Sequence, residues 1–172
     1  SLIRFYNPIG FWLLLWPGLW GLFLSDNFNI ENFTIVVLGS FLTRSLGCAI
    51  NDFLDRDFDK SVERTKNRPI ASKELSLSEA GIFIILLASV CIFLLMQTNP
   101  YTIKLVSYVA IPMIILYPLM KRFLAMPQLF LGATFGLSLP ISYSIAESTL
   151  SLEVIFLYIG CCLLYTSPSP RD

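Results

Sequence analysis

The stretch FTIVVLGSFLTRSLGCAINDFLDRDFD, residues 33–59, decides the fold. Its first part, 33–54, is apolar and long enough to cross a bilayer, which takes about 20 residues of helix. Arg44 sits inside it and must face other helices or a polar cavity with a partner, because a lone charge in hydrocarbon is costly. Its last nine residues, Asn51–Asp59, include five Asn or Asp side chains that offer oxygen to a cation. Carboxylates at the mouth of a membrane helix are expensive unless something positive sits among them. Hard divalent cations take oxygen ligands, and Mg²⁺ is commonly shared between one or two carboxylates and a substrate phosphate. The stretch therefore predicts a membrane helix that ends in half of a Mg²⁺-diphosphate site.

Composition agrees with the membrane. Of 172 residues, 55% are hydrophobic and 14% charged, and the mean hydropathy is +0.70. Soluble domains carry about 25% charged residues. Twelve basic and twelve acidic residues cancel formally, but most of the basic ones fall in two short segments. This is the charge pattern of a polytopic membrane protein, and nothing in it supports nucleic-acid binding. The absence of histidine excludes an imidazole base or a His-ligated metal. Cys48, Cys91, Cys161 and Cys162 show no CxxC spacing and read as small buried hydrophobes. The apolar run from Ile9 continues into a full span without a small-residue cleavage site, which argues against a cleavable signal peptide.

Outward from residues 33–59, the pattern predicts an all-α transmembrane bundle of five to six helices. The first, 8–24, carries Trp12, Trp16 and Trp20 and is interrupted by Pro17; Trp16 and Pro17 predict a kinked helix packed on its neighbours. After the Asp cluster comes a long polar loop, 52–78, with Arg56, Lys60, Arg64, Lys66, Arg68 and Lys73. Arg68-Pro69 ends any helix continuing from the cluster, and Ser76 with Glu79 predicts a capping box for the next helix. Further spans follow over 80–96, 101–120 and 129–146, with a sixth from about 150. Gly132, Gly136 and Ser138 allow close helix contact. Alternating directions put Arg4, the 56–73 basic loop and Lys121-Arg122 on one side, which the positive-inside rule makes cytoplasmic. The final residues, Cys162–Asp172 (CLLYTSPSPRD), break the apolar pattern with a Ser/Pro tail that resembles adapter read-through, so 1–161 is expected to be native sequence and 162–172 not.

On a continuous helix Asn51, Asp55 and Asp59 share a face at i, i+4 and i+8, with Arg44 a further seven residues back and Asp52 beside them. Such a row repels itself unless a cation intervenes, and Arg or Lys from the following loop suits a diphosphate. A DxxxD pair by itself also fits a solvated loop of surface ion pairs. The aligned Asn, the membrane-edge position and the basic cluster behind it favour the metal.

The run NDFLDRDFDKSVERTKNRPIAS (51–72) resembles the first Asp-rich motif of the UbiA superfamily of intramembrane prenyltransferases. RFYNPIGFWLLLWPGLWGLFL (4–24) is similar to the first helix of its 4-hydroxybenzoate branch, RSLGCAIND (44–52) to the second, and YPLMKRFLAMPQLFLGATFGLSLPISY (117–143) to the fourth and fifth. The likeness covers about residues 2–161. It implies a nine-helix bundle in which two cytoplasmic Asp-rich motifs hold Mg²⁺ and a polyprenyl diphosphate. Carried over, Asn51, Asp55 and Asp59 are the metal ligands, with Asp52, Asp55 and Asp59 the catalytic carboxylates. Arg64, Lys66, Arg68, Tyr117 and Lys121 approach the diphosphate. Arg44 reads equally as a substrate contact or a structural brace. Lys73 stands where the motif often has Gly, and Asn7 where a basic residue is common. Residues 123–172 do not supply the second Asp-rich motif, so the resemblance implies a C-terminal part beyond them and an inactive fragment.

The chemistry implied is ionisation of an allylic diphosphate and prenylation of the 4-hydroxybenzoate ring in ubiquinone biosynthesis, at a bacterial inner membrane. Phe41, Phe53, Trp16 and Tyr117 are candidate aromatic faces for the allylic cation. Rival readings are haem O, chlorophyll, menaquinone or archaeal-lipid synthesis by the same superfamily. The CDP-alcohol phosphatidyltransferases are disfavoured because their DG-x2-AR core is absent, and a cation transporter is a non-enzyme alternative.

Overall fold

The computed structural model describes residues 8–59, 63, 69–70, 72, 74–123 and 127–166. Among these every regular element is helical: α1 (Ile9–Phe23), α2 (Ile30–Leu54), the short α3 (Arg56–Asp59), α4 (Leu77–Met96), α5 (Pro100–Leu105), α6 (Ile111–Phe123), α7 (Pro127–Gly136), α8 (Ser138–Glu147) and α9 (Leu152–Thr166). Four stretches are long and apolar enough to cross a membrane: Ile30–Leu54, Leu77–Met96, Pro100–Tyr117 and Gln128–Glu147. The protein is an integral membrane helix bundle. Its apolar side chains point outward as well as inward, as a hydrocarbon solvent permits; in α4 only Ala80 is fully buried and the other residues are half-buried or exposed.

Local chemistry sets the ends. Asn29 caps α2 by accepting from Asn32 N at 2.7 Å. The expected capping box opens α4: Glu79 N donates to Ser76 Oγ at 3.2 Å and Ser76 N to Glu79 Oε2 at 2.9 Å. Two expected continuous helices are interrupted. Between α5 and α6 the chain makes a π-helical turn, Val106–Ala110, where Pro112 removes a backbone donor and the helix takes up an extra residue. The fifth span breaks at Leu137, because Pro140 has no N–H for the Gly136 carbonyl four residues back.

Packing runs through small residues. α1 lies between α2 and α8, α2 also packs on α4, and α7 packs on α9. A Cβ on Gly21 would collide with the Leu139 carbonyl and Ser142 Oγ, and Gly18 abuts Val36 and Ser138. Gly136 meets Tyr158, whose hydroxyl donates to the Ala133 carbonyl at 2.9 Å. Gly136 and Ser138 therefore sit in close contacts, as expected of them. Trp16 does not. Spaced four apart, Trp12, Trp16 and Trp20 share the outward face, with Trp16 52% exposed, while Pro17, Gly18, Gly21 and Leu22 turn inward. Only the small side chains let α8 approach.

Polar bonds tie together the end of the bundle away from the Asp cluster. Glu147 accepts from Asp26 N (2.9 Å), Asn27 N (3.0 Å) and Asn27 Nδ2 (3.0 Å). Asn99 Nδ2 donates to the Ser144 carbonyl at 2.6 Å, and Thr102 Oγ1 meets Ser144 Oγ at 2.9 Å. The α1–α2, α4–α5 and α8–α9 connections thus lie together, leaving the α2–α4 connection at the opposite end.

Candidate functional site

The site is built at the C-terminal end of α2. Ser45, Cys48, Ala49 and Asp52 form its buried stripe, with Asp52 2% exposed. Arg44 lies against Gly10 of α1, whose missing side chain leaves the space the guanidinium fills, and donates to Cys48 Sγ. One turn beyond Cys48, Asn51 Oδ1 is buried with no hydrogen-bond partner among the described residues. Asp55 caps the helix, its N–H donating to the Asn51 carbonyl at 2.9 Å. Tyr117 of α6 lies within electrostatic range of both Asp55 and Arg44. The structure therefore gathers Arg44, Asn51, Asp55 and Tyr117 at one end of the bundle, with Asp52 on the buried stripe beside them.

Residues 51–59 do not form one helix, contrary to expectation. α2 stops at Leu54, Asp55 adopts φ −90° and ψ 4°, and α3 starts at Arg56. Asn51 and Asp55 remain one turn apart, but Asp59 belongs to the next element. The cause is electrostatic as well as steric. A helix C-terminus carries partial negative charge, α2 has no basic residue in its last turn, and Asp is a poor helix interior residue that competes for backbone groups. Arg56 completes the stop by donating to the Phe53 carbonyl at 3.2 Å.

Other candidates divide. Phe41 packs edge-on against Phe11, with centroids 6.1 Å apart, Phe53 packs toward the α2–α4 connection with Ile70 and Ala80, and Trp16 faces outward. Tyr117 of α6 interacts electrostatically with Asp55 and Arg44. Arg64, Lys66, Arg68, Asn7 and Lys73 lie outside the described residues, as do the side chains of Asp59 and Lys121. Lys121 is placed by its backbone in α6, one turn after Tyr117. Sequence reasoning missed Gly10, the thiol acceptor role of Cys48, and Ile70, which is 4% exposed and anchors the polar connection. A lone apolar residue after Pro69 was the available signal for Ile70.

The profile of the UbiA prenyltransferase family matches residues 14–168. The chain belongs to that family. It is 43% identical over 161 residues to a 4-hydroxybenzoate octaprenyltransferase of Polynucleobacter asymbioticus, covering 92% of this chain and 56% of the relative. A protein of the same name from Polynucleobacter necessarius is 46% identical over 162 residues, with the same coverage. The chain thus spans little more than half the length of these curated relatives. Among solved structures, a UbiA homolog from Aeropyrum pernix superposes with a TM-score of 0.76 at 24% identity, covering 92% of this chain and 60% of that one. A homolog from Archaeoglobus fulgidus bound to DMAPP and Mg²⁺ gives 0.67 at 18%, covering 91% and 60%. These two establish the likeness of fold.

The donor set suits a hard cation. Asn51, Asp52 and Asp55 offer only oxygen, and the nearby thiol of Cys48 is engaged by Arg44. A buried oxygen left without a partner costs free energy, and a Mg²⁺ ion beside Asn51 and Asp55 would recover it while neutralising the negative end of α2. Among the described residues no three His, Cys, Asp or Glu side chains converge as a complete metal site. Asn51 and Asp55, one turn apart, are the oxygen donors among the described residues that could contribute to a metal site.

Proposed function

We propose that the full-length protein transfers a polyprenyl group from polyprenyl diphosphate to the ring of 4-hydroxybenzoate in a Mg²⁺-dependent reaction. The observation that carries this is the buried Asn51 oxygen, without a hydrogen-bond partner among the described residues, one turn before Asp55 at a membrane-helix end. The name 4-hydroxybenzoate octaprenyltransferase carried by the relatives supports this acceptor, and ubiquinone biosynthesis is the role we propose for the reaction.

In this reading Asn51, Asp55 and Asp59 hold the metal, and Asp52 stiffens the cluster from the buried stripe. Mg²⁺, when bound, offsets negative charge developing on the leaving diphosphate. Arg64, Lys66, Arg68 and Lys121 grip the diphosphate, and the Tyr117 hydroxyl donates to one of its oxygens. Arg44 braces the α1–α2 contact or meets the acceptor carboxylate. Within residues 1–172, which include no histidine, a carboxylate, water or the departing diphosphate can take the proton lost from the ring. The bilayer supplies the long-chain donor and keeps water from the allylic cation. The positive-inside rule puts the Asp cluster in the cytoplasm of a bacterial inner-membrane protein.

In this reading residues 162–172 are not native, and the second Asp-rich motif belongs to the part of the protein that follows residue 161. α9 runs on to Thr166, five residues past that boundary. Incubation of the full-length protein with Mg²⁺, a polyprenyl diphosphate and 4-hydroxybenzoate should yield prenylated acceptor by mass. Metal-independent product, or product only from another acceptor, would contradict the reading. Residues 1–172 expressed by themselves should give none.

A further inference from the structure

We propose that Arg56 is a positioning residue, which holds the break between α2 and α3 and so sets where Asp55 stands relative to Asp59. The inference rests on the metal reading above and deepens it. Arg56 is the first basic residue after the α2 cap, and charge alone would assign it to the diphosphate with the rest of the run. Its geometry assigns it elsewhere. Nη1 donates to the Phe53 carbonyl at 3.2 Å, one of the carbonyls that a helix C-terminus leaves without an intrahelical donor. The guanidinium carbon lies 5.5 Å from the centroid of the Phe53 ring, within cation–π range. Nε stands 3.6 Å from Asp57 Oδ2. Carbonyl, ring and carboxylate bracket the side chain, which is 34% exposed.

The platform under it is fixed in turn. Phe53 packs on a small core of Ile70, Ala80, Leu75 and Phe83, which joins the α2–α4 connection to the start of α4. Arg56 also lines a cavity of about 520 Å³ with Ile70, Glu74, Leu75, Ser76, Leu77 and Glu79, on that same side of the helix end. A basic side chain near a C-terminus favours the helix end both by hydrogen bonding and by charge. Because Asp55 is the cap residue itself, with its N–H on the Asn51 carbonyl, the clamp on Phe53 fixes the turn from which the Asp55 carboxylate projects. Arg56 therefore acts on the metal through Asp55 and touches neither metal nor donor.

The test is Mn²⁺ binding to the purified full-length protein, read by EPR in the presence of an unreactive prenyl thiolodiphosphate, together with the KM for the true donor at saturating Mg²⁺. Arg56→Ala should weaken Mn²⁺ binding about tenfold, the factor a charge-assisted hydrogen bond commands, with donor KM unchanged. Arg56→Lys, which keeps a cationic donor for the carbonyl, should restore most of it. Unchanged Mn²⁺ binding in Arg56→Ala, or a loss seen only as a raised donor KM, would overturn the role. Should Arg56→Ala fail to fold, Phe53→Leu removes the ring but keeps an apolar side chain against Ile70 and Ala80. Weaker Mn²⁺ binding at unchanged donor KM then supports the role, and any other result overturns it. Asp55→Ala separates this from the underlying reading: if Mn²⁺ binding survives that change, Asp55 is not a ligand and both assignments fall. Loss in Asp55→Ala but not in the Arg56 and Phe53 variants removes only the positioning role.

Discussion

In the proposed site Asp55 carries more than any neighbour, because it is the cap of α2 and a proposed metal ligand. Asp55→Asn keeps its size and its N–H bond to the Asn51 carbonyl but removes one negative charge. It should leave the fold intact and lower prenyl transfer by about a hundredfold or more, since a metal ligand's charge is not replaced by an amide dipole. A Mg²⁺ titration distinguishes this from a packing defect: the activity that remains should need more metal, and an unchanged metal requirement would remove Asp55 from the ligand set. Arg44 shows the same coupling of roles. Its placement depends on Gly10, where a Cβ would enter the space of the guanidinium, and on Cys48, which accepts from it.

Helices here meet through glycine, so the sign of a Gly→Ala change depends on what faces the added methyl. At Gly21 the Cβ would run into the Leu139 carbonyl and Ser142 Oγ. Backbone cannot step aside as a flexible side chain can, so Gly21→Ala should lower the melting temperature in detergent, at a cost of about 1–3 kcal/mol. Gly81 meets nothing within 4 Å, and Gly81→Ala should be neutral or stabilising by up to about 1 kcal/mol. Equal behaviour of the two would refute the α1–α8 contact. Ser148, the residue ending α8, is left-handed at φ 56° and ψ 22°, a conformation glycine adopts freely. Ser148→Gly should therefore raise the melting temperature, worth about 1 kcal/mol. The number of apolar segments, the Ser76 box and the roles of Gly136 and Ser138 were legible because hydropathy, capping and small-residue packing are local properties. The stop at Asp55 was not, since an i, i+4, i+8 spacing presumes a helix that its own terminal charges end. Nor was the outward turn of Trp16, because a Trp every fourth residue marks a face without saying which side packs.

At the scale of the molecule, the two ends of the bundle differ in chemistry. One end joins its connections through neutral amides, hydroxyls and the Glu147 carboxylate. The other holds Asp52, Asp55 and Arg56. The positive-inside rule favours the orientation in which the basic end faces the cytoplasm, and that is the topology proposed here. Ser72 and Thr149 are both exposed and lie on connections at opposite ends. In a background with Cys48, Cys91, Cys161 and Cys162 replaced by Ala, Thr149→Cys should react with a membrane-impermeant maleimide on intact cells. Ser72→Cys should react only after the membrane is opened. Labelling of Ser72→Cys from outside would invert the topology, and it would put the Asp cluster on the side of the membrane where cytoplasmic diphosphates and Mg²⁺ do not reach it.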